Sequence, residues 1–113
     1  MESTRQQKVA KLLMKDLGEL FRMEIPALIS SKAMISVTKV KVTRDLAIAR
    51  VYLSIFAAPD KEEVLKLVQK NTKTIRVLLG KKIRNQVRVI PELVFEIDDS
   101  LDYIERIEEL LKE

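Results

Sequence analysis

Two apolar periodicities in a definite order predict an α+β protein, a two-layer sandwich with helices on one face of a three-stranded sheet. Outer stretches of the chain space apolar residues as helices do, whereas a central stretch and one late segment alternate them with period two. Length agrees, since 113 residues make one ordinary domain, 1–113, with no room for a second.

The opening stretch places Val9, Leu12, Leu13, Leu17, Leu20 and Phe21 at helical spacing, and Ser3 with Gln6 forms a capping-box pattern for its first-turn amides. A long helix is expected from about Thr4 to Glu24, stopped before Pro26, because proline disfavours helix in the residue before it. Lys8, Lys11, Lys15 and Arg22 occupy much of its other face, as a solvated face or a phosphate-contacting one.

From Met34 to Phe56 β-branched residues dominate in two runs parted by Thr43-Arg44-Asp45-Leu46, where an Asp side chain can hold a tight turn. Ala49, Val51, Leu53 and Ile55 alternate with Arg50, Tyr52 and Ser54, so one face is buried. In the first run the alternation slips phase between Val37 and Val40, which predicts a bulge near Thr38-Lys39.

Pro59-Asp60-Lys61-Glu62-Glu63 starts a helix carrying Val64, Leu67 and Val68, and a second apolar stripe follows at Ile75, Leu78, Leu79 and Ile83. The stripes imply two helices with a break near Asn71–Lys73. Leu93-Val94-Phe95-Glu96-Ile97 then alternates as a third strand entered at Pro91. Ser100 caps a final acidic helix with Leu101, Ile104, Ile107, Leu110 and Leu111 on one side. Gly18 and Gly80 both fall inside helices, where close approach of another element is the expected reason.

The composition excludes much chemistry. There is no Cys and no His, so disulfides, thiolate and imidazole catalysis and most zinc sites are ruled out. Neither a membrane span nor the apolar core of a secretory signal is visible, which predicts a soluble, intracellular chain with no membrane partner. Asp98, Asp99 and Asp102 lack the glycine-turned spacing of a calcium loop and suit a helix N-terminus instead, so no metal is expected. Gly80-Lys81-Lys82 lacks the flanking residues of a phosphate-cradling loop, and no nucleotide cofactor is expected.

Charge is unevenly spread. Residues 1–91 hold 19 Lys and Arg against 8 Asp and Glu, a net +11, whereas residues 92–113 hold 2 against 9, a net −7. A body this basic attracts phosphate backbones, and its acidic end is repelled from them. Only five aromatic residues are present, and most fall at core-facing positions, so phosphate and shape recognition fits better than base stacking. The densest basic cluster is Lys73, Arg76, Lys81, Arg84 and Arg88, with Lys82 nearer the apolar arc; Lys8, Lys11 and Lys15 add to it from the first helix. On spacing alone this cluster suits RNA contact or a solvated face equally.

The stretch Val40-Lys41-Val42-Thr43-Arg44-Asp45-Leu46-Ala47-Ile48-Ala49-Arg50-Val51-Tyr52-Leu53-Ser54 resembles the signature hairpin of the bacterial ribosome-binding factor A family. Ile75-Arg76-Val77-Leu78-Leu79-Gly80-Lys81 looks like that family's helix, and Val89-Ile90-Pro91-Glu92-Leu93-Val94-Phe95 with Asp98 and Ser100 like its last strand. The opening Arg5-Gln6-Gln7-Lys8-Val9 is also similar, so the resemblance covers nearly the whole chain.

The resemblance implies a type II KH-like fold, α-β-β-α-α-β plus a C-terminal helix. It also implies a cytoplasmic, non-enzymatic assembly factor. Such a factor binds the free, immature small (30S) subunit, helps its 16S ribosomal RNA mature, supports growth in the cold, and in some bacteria leaves with help from a GTPase. The family replaces the Gly-x-x-Gly loop of ordinary KH domains with an Ala-x-Gly kink; here the matching place reads Asn71-Thr72-Lys73, where Asn's tolerance of left-handed backbone supports a kink. Two other readings stay open on the residues themselves. One is a protein-interaction module using the acidic helix, the other a generic KH-like RNA-binding protein. A small, charge-rich basic chain also points to a monomer.

Overall fold

The computed structural model describes residues 3–29, 32–56, 58–83, 86 and 90–98. Four helices and three strands follow in the order α1 (Thr4–Met23), α2 (Ile25–Leu28), β1 (Met34–Val42), β2 (Ile48–Phe56), α3 (Lys61–Lys70), α4 (Thr72–Ile83) and β3 (Glu92–Ile97). The expected acidic helix at 100–113, with Tyr103, lies outside the described residues.

α1 begins as its sequence dictates. The Ser3 hydroxyl accepts from the Gln6 N–H at 3.1 Å, and the Gln6 side-chain oxygen accepts from the Ser3 N–H at 2.8 Å. Gln6 is also buried, and its amide nitrogen donates to the Val42 carbonyl at 3.0 Å, so one side chain caps the helix and ties it to the far end of β1. Val9, Leu13, Leu17, Leu20 and Phe21 line the buried face. α1 ends at Met23, before Pro26, as expected; Pro26 itself occupies the first turn of the short α2, which was not expected, where its missing N–H would have had no intrahelical partner.

β1 and β2 form the antiparallel hairpin, with the register shift falling between Val37 and Lys39 as the phase slip predicts. The turn is organised by Asp45, whose Oδ1 accepts from the Thr43 hydroxyl at 2.7 Å and from the Ala47 N–H at 3.1 Å. Leu46 takes a left-handed φ of 61°, a strained position for a branched side chain, held by its N–H donating to the Thr43 carbonyl at 2.9 Å. β3 pairs in parallel with β2, giving the order β1-β2-β3 with β2 central. Such a parallel pair requires a crossover, and α3 with α4 supplies it.

Asp60 caps α3, its carboxylate accepting from the Glu62 and Glu63 N–H groups. The break expected between the paired helices is present at Asn71, but with φ −101° and ψ 16°, so no left-handed residue is needed. Its side-chain amide donates to the Leu67 carbonyl at 2.8 Å and the Thr72 hydroxyl to the Gln69 carbonyl at 2.7 Å. Those carbonyls at the end of α3 are thereby satisfied while the chain changes direction.

One face of the sheet, presenting Ile35, Val42, Ala49, Val51, Leu53, Ile55, Leu93 and Phe95, packs with the buried sides of α1, α3 and α4 into a single core. At its centre the Phe21 and Phe95 rings meet edge to face, centroids 5.7 Å apart. The glycines separate: a Cβ at Gly80 would sit 2.9 Å from the Ile90 Cδ1, which bears out close packing there. Nothing lies within 4 Å of a Cβ at Gly18, so its expected close neighbour is absent among the described residues.

Candidate nucleic-acid interface

The axis of α4 turns Ile75, Leu79 and Ile83 into the core and leaves Lys73 and Lys81 exposed at its two ends. Arg76, one turn after Lys73, is half-buried; its terminal nitrogen donates to the Ile90 carbonyl at 2.8 Å and its Nε is buried without a partner among the described residues. Lys73, Thr74, Arg76, Val77, Gly80 and Ile90 enclose an open cavity of ≈ 500 Å³. Val77, 59% exposed, lies among its apolar lining, and Lys73 and Arg76 supply the cationic side. The structure thus brings Lys73 and Arg76 together, while Arg84 and Arg88 lie outside the described residues.

Lys8, Lys11 and Lys15 are all exposed along α1. Lys15 does not share the α4 cavity. It lines a larger groove of ≈ 710 Å³ between α1 and the start of β1, together with Arg22 and Lys32. Sequence reasoning placed Arg22 on the same face of α1 as Lys15 but did not group Lys32 with them, since the groove exists only once β1 lies beside α1. Lys82 joins the two regions: its ammonium contacts the Glu19 carboxylate of α1 at 2.7 Å. That hydrogen bond is the main cause holding Glu19 below its ordinary 4.5 and raising Lys82 above its ordinary 10.5.

The aromatic residues are less uniformly internal than expected. Phe21 and Phe95 are buried, but Phe56 is exposed and Tyr52 half-buried, both on the sheet face away from the helices. Also missed were Lys39, Lys41 and Arg50 as a group on that face; their alternation with buried residues was the signal. Among the described residues no three carboxylates gather as a metal-binding group, and no helix is long and apolar enough to cross a membrane.

With the short α2 counted as an extension of α1, an α-β-β-α-α-β order, a mixed three-stranded sheet, helices on one face and a basic paired-helix region define a KH-like α+β protein. The family model for ribosome-binding factor A matches residues 5–111. Ribosome-binding factor A of Cytophaga hutchinsonii is 44% identical over 111 residues, covering 98% of this chain and 83% of the relative. The chain belongs to the ribosome-binding factor A family. Among solved structures, the crystal structure of ribosome-binding factor A from Thermus thermophilus is similar with a TM-score of 0.65, at 21% identity, over 81% of this chain and 94% of that one. A Thermus thermophilus ribosome-binding factor A homology model fitted into a cryo-electron-microscopy map of a 30S complex is similar with a TM-score of 0.61, at 22% identity, over 78% and 89%.

Proposed function

We propose that this protein binds the free, immature small ribosomal subunit and assists maturation of its 16S ribosomal RNA, acting by RNA binding without catalysis. The observation that carries this reading is the cationic rim of the α4 cavity, with Lys73 free to meet phosphate and Arg76 held in place by the Ile90 carbonyl. Family membership and the 30S complex of the Thermus relative support it. Lys8, Lys11, Lys15 and Lys81 extend the contact, with Arg84 and Arg88 as further candidates. Binding stabilises one arrangement of subunit RNA over another, so no bond need be made or broken. The protein acts in the cytoplasm as a single-domain monomer, and a GTPase assists its release.

Co-sedimentation with free small subunits, large subunits and joined ribosomes across a salt series tests the reading. Retention on free small subunits alone, weakening steeply with salt, is the expected result. In a Lys73→Glu, Lys81→Glu variant, every phosphate no longer neutralised should flatten the slope of log affinity against log salt by about 0.7–0.9. Arg76 is left intact in this test because it anchors the chain at Ile90. Equal retention on all three particles, or an unchanged slope in the variant, would overturn the assignment of this surface.

A further inference from the structure

Helical spacing puts Lys15, Gly18 and Arg22 on one side of α1, with the two cations about 10 Å apart along its axis. That side forms one wall of the ≈ 710 Å³ groove, and Gly18 stands between the cations. Lys32, just before β1, and Met34, its first residue, line the other side. β1 is an edge strand, so no further strand of the sheet covers it there. The groove shares no lining residue with the α4 cavity.

Neither ordinary reason for a glycine inside a helix holds at Gly18. Its φ is not left-handed, and apart from its own helix backbone nothing described comes within 4 Å of where a Cβ would stand. A glycine there weakens the helix relative to alanine and returns no packing contact. What it does leave is an open stretch of groove wall between Lys15 and Arg22. Charge is arranged to the same end. Glu19 is the one carboxylate among the described lining residues, and the Lys82 ammonium of α4 holds it at 2.7 Å. Asp16 and Glu24 also act on Lys82, but neither lines the groove. Lys15, Arg22 and Lys32 thus line a groove whose single negative charge is already neutralised.

An exposed apolar surface adjoins these cations. Met34 is 67% exposed and pairs across the hairpin with Phe56, itself 39% exposed, so a thioether and an open aromatic ring stand side by side. An acidic peptide would meet the cations equally well; the open ring beside them favours nucleotides, and unpaired ones, since a duplex keeps its bases inside. We propose that this groove holds an unpaired RNA strand, with phosphates on Lys15, Arg22 and Lys32 and a base on Met34 and Phe56. Gly18 is left bare so that the strand lies against α1. Lys82 is a positioning residue: it acts through Glu19, cancelling a charge that would repel phosphate. The ligand class rests on the RNA-binding reading above, but the site is separate from the α4 cavity.

Fluorescence anisotropy of a labelled oligouridylate titrated with the full chain reads this contact without ribosomes. Gly18→Ala is expected to bind as the parent does, whereas Gly18→Gln, long enough to fill the groove, binds several-fold more weakly with a thermal midpoint no lower than the parent's. Phe56→Leu keeps the apolar bulk and loses the ring, weakening binding about fivefold or more. Lys82→Met weakens it by up to about fivefold, Glu19→Gln strengthens it, and the two together restore the parent affinity. Unchanged binding in Gly18→Gln, or equal binding of an RNA hairpin of the same length, would overturn the proposal. So would polyglutamate displacing the RNA as readily as unlabelled oligouridylate, since any acidic chain would then serve. Binding lost only through Lys73→Glu, Lys81→Glu would overturn the groove and leave the α4 surface standing; binding that depends on Gly18, beside a failed subunit co-sedimentation, would uphold the groove and overturn the ribosomal reading. No effect of Lys82→Met would overturn the role given to Lys82.

Discussion

Single side chains set several local features of this fold, and Gln6 and Asp45 do so most directly. Gln6 closes the capping box and satisfies the buried Val42 carbonyl, so Gln6→Ala removes both bonds and leaves an acceptor unpaired. A loss of about 1–3 kcal/mol in urea unfolding is expected, more than a cap alone would give. Asp45 is held below its ordinary 3.8 by the Thr43 hydroxyl first and the Ala47 N–H next, and Glu19 lies below 4.5 through Lys82. Carboxylates lowered by folding contribute stability above their unfolded values and lose it as pH falls through the folded ones. Lys82, raised by folding, contributes below 10.5 and loses that as pH climbs through its folded value. With no histidine, unfolding midpoints should stay nearly flat from about pH 6 to 8 and fall below about pH 4.5. A midpoint that moved strongly near neutrality would contradict this.

Among the elements, α1 and α4 each carry one glycine with a different task. Gly18 has open space where a Cβ would stand and is not in the left-handed region, so Gly18→Ala should raise stability by about 0.5–1 kcal/mol through helix propensity. Gly80→Ala gains the same propensity but drives a methyl to 2.9 Å from the Ile90 tip, so its thermal midpoint should fall short of that of Gly18→Ala. Equal gains would mean that Ile90 yields freely. Arg76 belongs to this arrangement, and Arg76→Met should loosen the Ile90 segment, seen as faster amide exchange along the Glu92–Ile97 strand, without touching α1.

For the whole molecule, stability rests on one core shared by the sheet and the helices, with Phe21 and Phe95 at the junction of its first and last described elements. Phe95→Ala should cost about 3–5 kcal/mol, enough to threaten a domain whose total is about 5–15 kcal/mol. Measured by urea unfolding, a cost below about 1 kcal/mol would show that the core collapses around the gap. The basic residues, by contrast, are spread over the outside of the helices and the sheet face away from the described helices. Reversing Lys73 and Lys81 should therefore leave stability near the parent value while weakening salt-dependent retention on small subunits.

Apart from the short α2, the order of the described elements, the capping box, the bulge, the turn at Asp45 and the break near Asn71 were legible in the sequence, because each follows from interactions within a few residues or from a periodicity along the chain. The family was legible for a related reason, the joint order of the hairpin, the helix and the last strand. What the sequence could not show was which cations share a surface. Lys73 and Arg76 lie one helical turn apart, but Lys32 joins Lys15 and Arg22 only when β1 lies against α1, and Lys82 pairs with Glu19 only because α4 comes near α1. The conformation of Asn71 and the helical use of Pro26 also escaped sequence reasoning, since both depend on how neighbouring elements satisfy backbone groups. Local chemistry and periodicity determined the elements and their order; the grouping of charge was decided by packing, which joins residues far apart in the chain.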